Sequence, residues 1–113
     1  MTKAVMYRSK DGLIKGFDIK GHAGASGNGE YDMVCAAISA VCYTALGSLD
    51  EHCGFNRYSE SDGHLRLELP GDMNAETEKK AQIILETMEI GLRQIENQYS
   101  RYIEVRMKEV NLE

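Results

Sequence analysis

Between Ala75 and Tyr99 the apolar residues Ala81, Ile84, Leu85, Met88, Leu92, Ile95 and Tyr99 recur at helical spacing, the period that lines one face of an α-helix. Nothing else in the chain restricts its fold so strongly. A helix of that length must lay its apolar stripe on another element and leave its Glu- and Lys-rich face in water. A second stripe runs through Val34, Ala37, Ile38, Val41, Ala45 and Leu49, with Asp32 placed to cap the helix start and Gly54 to end it. Around these helices lie five segments with strand character. Ala4 to Arg8 and Ile14 to Lys20 flank the turn signal Asp11-Gly12, and Asn56 to Ser61 and His64 to Leu69 flank Asp62-Gly63 before Pro70-Gly71. Last, Ile103, Val105 and Met107 alternate with Glu104, Arg106 and Lys108.

The order is therefore ββαββαβ, which predicts an α+β sandwich: two helices packed on one face of a largely antiparallel sheet, in a single domain over residues 1–113. A body of 12.6 kDa buries one modest core and has little surface left to wall off a deep site. A shallow site is expected, or one shared with a second subunit, so a homodimer is expected. Hydrophobic residues at 42% and charged residues at 27% fit a folded globular chain. No apolar run of transmembrane length and no secretory signal stands out by pattern, which predicts a cytosolic protein without a membrane partner. Three cysteines, Cys35, Cys42 and Cys53, with no Cys-x-x-Cys pair, predict free thiols and neither a disulfide framework nor a metal site. A net charge of -5 weighs against direct nucleic-acid binding and favours a basic polypeptide partner.

The chemistry concentrates around one loop and the helix after it. Gly21-His22-Ala23-Gly24-Ala25-Ser26-Gly27-Asn28-Gly29 is too glycine-rich for regular structure and is expected to be mobile. If Asp32 caps the helix, Cys35 falls in its first turn, where partial positive charge favours a thiolate. His22 on the loop can fold back over that start as general base, and helix-start amides, that of Cys35 included, can hold an oxyanion. Ser39 stands one turn beyond Cys35 on the same side, and Asp32 orients His22 or caps the helix. Taken singly, each residue has an ordinary alternative: Cys35 as helix packing, His22 as a loop histidine, Asp32 as a cap and Ser39 as a back-bonding helix serine. Cys42 reads as core, Cys53 with His52 as too few ligands for a metal, and His64 as a surface residue at a strand start. The loop lacks the Gly-Lys-Ser/Thr ending of a phosphate cradle, so nucleotide binding is discounted and no cofactor is expected.

Taken together, Gly21-His22-Ala23-Gly24 and Asp32-Met33-Val34-Cys35-Ala36-Ala37-Ile38-Ser39 closely resemble the ribosomal-processing cysteine protease family, the Prp or YsxB-like proteins, over essentially the whole chain. The resemblance implies a cysteine endopeptidase that removes the N-terminal extension from the precursor of large-subunit ribosomal protein number twenty-seven. His22 and Cys35 match the catalytic pair, and Asp32 and Ser39 match further motif positions. It also implies a homodimer whose glycine-rich loop, with Gly21, Ala23, Gly24, Gly27 and Gly29, meets an extended peptide ending in paired phenylalanines. Met33 departs from the commoner isoleucine and bears on substrate fit. The alternative is a non-catalytic ribosome-assembly or protein-interaction module in which Cys35 only packs.

Overall fold

The computed structural model describes residues 1–21 and 29–111, apart from the side chain of Tyr31. Seven elements follow in the expected order: β1 (Thr2–Arg8), β2 (Ile14–Lys20), α1 (Gly29–Cys53), β3 (Ser59–Ser61), β4 (His64–Glu68), α2 (Ala75–Gln98) and β5 (Ile103–Glu109). The strands form one sheet in the order β3-β4-β2-β1-β5. Every neighbouring pair is antiparallel except β1 with β5, which run parallel.

Register decides which face of the sheet is apolar. Phe17 pairs with Met6 on one side and Leu67 on the other, and Ile19 with Ala4 and Leu65. Because side chains alternate along a strand, these residues share one face. They pack under the two helices with Val34, Cys42 and Leu49 of α1 and Leu85 and Leu92 of α2. The opposite face carries Tyr7, Asp18, His64 and Arg66.

Local chemistry fixes the long helices. Asn74 caps α2 by accepting the Thr77 amide at 2.8 Å, which satisfies one of the unpaired donors of the first turn. Gln82 on the same helix is 9% exposed. Its amide group accepts from the Ile14 N–H at 2.7 Å and donates to the Ile14 carbonyl at 2.8 Å. A helix side chain thus completes the backbone pairing of β2 at its first residue. At Gly16 close approach dictates the residue, because a Cβ there would collide with the Leu67 carbonyl across the β2–β4 pair.

Three expectations are corrected. First, α1 begins at Gly29 rather than at a cap on Asp32, so Asp32 lies inside its first turn. Tyr102 Oη donates to Glu30 Oε1 at 2.8 Å and ties this added turn to the segment before β5. Second, β3 is only Ser59–Ser61. The chain from Gly54 to Tyr58 instead wraps the end of α1, with the Gly54 and Phe55 amides donating to the Asp50 and Leu49 carbonyls and Phe55 buried. Third, the segment Asp32–Cys53 is long and apolar enough to cross a membrane by length and composition, with a mean hydropathy of 1.5 in its most apolar window. It packs here as a core helix, burying Val34, Ile38, Cys42, Ala45, Leu46 and Leu49.

Candidate active site

Cys35, Ser39 and Tyr43 are spaced one helical turn apart and share one side of α1. All three line a cavity of about 380 Å³ between that helix and the β3–β4 hairpin, whose residues Glu60 to Leu65 form the opposite wall. Its floor is apolar, from Ile19, Ile38 and Leu65, and its rim carries the carboxylates of Glu60 and Asp62. Tyr43 Oη bonds the Glu60 carboxylate and bridges helix to hairpin. A second groove, of about 690 Å³ between α1 and α2, is lined by Val41, Ile83, Ile84 and Met88 with His52 and Lys80 and holds no thiol. The chemistry therefore points to the first.

The thiols divide cleanly. Cys35 is half-buried at the cavity. Cys42 is 2% exposed in the core, and burial pushes its thiol up to about 12. Cys53 is half-buried and donates weakly to the Thr77 carbonyl at 3.7 Å, with burial raising its thiol and the charge of Lys80 opposing that. Only the thiolate reacts with an alkylating agent. Iodoacetamide at pH 8 should therefore modify Cys35 well before Cys42, as peptide mapping by mass spectrometry would read out. Equal, slow labelling of both would contradict this division.

Because α1 starts at Gly29, Cys35 lies beyond the first turn. Its amide is in the region where an α-helix bonds each N–H to the carbonyl four residues back. Neither the field of the helix start nor the Cys35 amide serves the sulfur in the manner expected from an Asp32 cap, since the dipole effect fades within the first turn. Asp32 is exposed and Ser39 half-buried. Gly21 is the last described residue before the loop, with φ +85° in the left-handed region and no room for a Cβ beside the Met1 carbonyl. Gly29 is the first residue of α1. His22, Ala23, Gly24 and Gly27 lie outside the described residues.

His64, read from sequence as a surface residue, also lines the cavity. It alternates with Leu65 and Leu67, which face the helices, so its imidazole belongs with Arg66 on the far face of the sheet. There His64 Nε2 meets Asp18 Oδ1 at 2.5 Å and Tyr7 Oη donates to Asp18 Oδ2 at 2.7 Å. Asp18 is only 4% exposed. A carboxylate accepts and cannot donate, so the proton between them is on Nε2. The hydrogen bond commits Nε2 to Asp18 on that face and not to the Cys35 sulfur. It was hidden from the sequence because only the β2–β4 register brings residues 18 and 64 together.

Burial pushes the Asp18 carboxyl up, but the hydrogen bonds from His64 and Tyr7 and the charges of Arg66 and His64 outweigh it and leave the group below its ordinary value. The bond donated to Asp18, then burial, raises the Tyr7 phenol. With a lowered native value, Asp18 binds fewer protons folded than unfolded around the carboxylate range. Its contribution to stability is therefore present above the ordinary carboxylate value and is lost as pH falls through the lowered one. Urea unfolding from pH 7 down to pH 3 should show a shallower loss of stability for Asp18→Asn than for the parent chain. Parallel curves would contradict the assignment.

Residues 1–104 match the family described as "Cysteine protease Prp". The ribosomal processing cysteine protease Prp of Bacillus subtilis strain 168 is 32% identical over 108 residues, covering 93% of this chain and 96% of that protein. The protein of the same name from Staphylococcus aureus strain Mu50 is 33% identical over 104 residues, covering 87% and 91%. Among solved structures, that of SMU.848 from Streptococcus mutans superposes with a TM-score of 0.82 at 23% identity, over 97% of this chain and 96% of that one, and shows the shared fold. The S. aureus ribosomal processing protease Prp, solved with a covalently linked product peptide, superposes with a TM-score of 0.78 at 26% identity, over 96% of this chain and all of that one. With its mixed five-stranded sheet, its two-helix layer and a half-buried thiol facing the hairpin cavity, the chain belongs to the Prp family of cysteine proteases.

Proposed function

We propose that this chain is an endopeptidase that removes the N-terminal extension of the precursor of large-subunit ribosomal protein number twenty-seven, with Cys35 as nucleophile and His22 as general base and acid. The observation that carries the reading is the placement of Cys35: a half-buried thiol at a cavity formed between α1 and the β3–β4 hairpin. The names of the relatives and the peptide bound in the S. aureus structure support a peptide substrate and ribosomal processing.

In this scheme His22 takes the Cys35 proton and the thiolate attacks the scissile carbonyl carbon. The tetrahedral oxyanion collapses, the C–N bond breaks and His22 returns the proton to the departing amine. A water activated by His22 then hydrolyses the thioester and frees the thiol. Ser39 offers a hydroxyl in the same cavity, and Asp32 in the first turn of α1 orients His22. With no help from the helix start, the imidazole is what activates the sulfur. The apolar floor of Ile19, Ile38 and Leu65 suits an aromatic side chain at the end of an extended peptide. The glycine-rich residues Gly21, Ala23, Gly24, Gly27 and Gly29 contribute to peptide binding. A cytosolic homodimer, in which a second subunit helps enclose a shallow site, completes the proposal.

The test is a synthetic peptide spanning the precursor's processing site. The expected result is cleavage at one bond, after the paired phenylalanines and before a small residue, with no added metal or cofactor. An intact peptide after prolonged incubation, or a host precursor with no N-terminal extension, would overturn the substrate. Sedimentation of the purified chain reads the dimer.

A further inference from the structure

We infer that His64, held by the buried Asp18, is a positioning residue for the substrate peptide, acting through the β3–β4 turn that walls the Cys35 cavity; the inference rests on the protease reading above. The turn residues Ser61 to Gly63 line the cavity, yet the tip of this hairpin has no apolar anchor. All three residues of β3 are exposed, and the first core residue of β4 is Leu65. Besides the strand pairing itself, three polar ties hold the wall among the described residues. Tyr43 holds Glu60 from α1, the Gly21 amide donates to the Gly63 carbonyl at 3.1 Å, and His64 Nε2 reaches Asp18 Oδ1 at 2.5 Å.

The last tie is the one built into the sheet. A carboxylate 4% exposed, on a face with no helix over it, is costly to bury unless its oxygens are satisfied. Tyr7 satisfies one and His64 the other. Arg66, paired with Asp18 across the β2–β4 ladder, adds its positive charge. The network thus locks the first residue of β4 against β2 from the face opposite the cavity. A wall freed from this tie must be ordered again when the peptide binds, and that cost lowers affinity.

The experiment measures peptide affinity apart from chemistry, using the Cys35→Ala chain and the fluorescein-labelled processing-site peptide. Fluorescence anisotropy is expected to show a Kd weakened about tenfold by adding His64→Ala. His64→Gln should restore it to within about twofold, because the glutamine amide N–H occupies the position of Nε2. His64→Asn, polar but too short to reach Asp18, should behave like alanine and serves if the alanine chain does not fold. A general loss of sheet stability would appear in thermal melts of all three variants without this split in Kd. An unchanged Kd in His64→Ala and His64→Asn, or equal weakening in all three, overturns the inference. A parent chain that fails to cleave a peptide its Cys35→Ala form binds would sink the protease reading and leave the clamp standing.

Discussion

Cys35→Ala is expected to abolish cleavage of the processing-site peptide, lowering kcat by about four orders of magnitude or more, as deletion of a covalent nucleophile does elsewhere. The variant should fold normally. Cys35 is half-buried at a cavity, so losing its sulfur opens no void in the core. His22→Ala should lower kcat by roughly 10²- to 10⁴-fold, the range for a lost general base, and should slow iodoacetamide at Cys35 while leaving Cys42 as unreactive as before. Cys42→Ala makes the converse case. It removes a side chain buried among the core residues, so it should lower the melting temperature and leave the rate near that of the parent. Cleavage that survives Cys35→Ala would remove the nucleophile assignment altogether.

Gln82→Leu is expected to give the largest loss of stability among polar-to-apolar exchanges of similar size on α2. The leucine is of similar size, but it leaves the Ile14 N–H and carbonyl without the partners they now have at 2.7 and 2.8 Å. Ile14 is fully buried, so water does not replace them cheaply. An unsatisfied buried group costs about 1–3 kcal/mol, which puts the pair at roughly 2–6 kcal/mol and the drop in Tm at about 10–25 °C. Gln94→Leu on the exposed side of the same helix should stay within about 0.5 kcal/mol. Urea midpoints compare the two directly, and equal values would show that Gln82 does not anchor β2.

Gln82 also shows where the sequence stops being readable. The α2 stripe was plain because its apolar residues keep helical period, and its bounds were found almost to the residue. A glutamine beside that stripe reads as solvent-facing, since its partner is a backbone group of a strand whose position no local pattern reveals. Cys35 and Ser39 were legible as neighbours through helical spacing, and the cavity contains both. The start of α1 was misplaced because glycine at position 29 signals loop by propensity. The tie from Glu30 to Tyr102, which supports the extra turn, comes from a distant part of the chain. Asp18 and His64 carried no signal singly, since the partner of each lies on another strand and no local pattern names it.

The sheet order has a consequence for how the protein is made. β1 lies between β2 and β5, and β5 is the last of the five described strands, paired parallel to β1 along its length. During synthesis one edge of β1 must wait, unpaired, until the four elements between β2 and β5 have been made. Such long-range parallel pairing is slow to form, and an open strand edge invites association with other chains. Completion of the sheet therefore waits for β5, and a chain that has not yet paired it leaves that edge of β1 open to association.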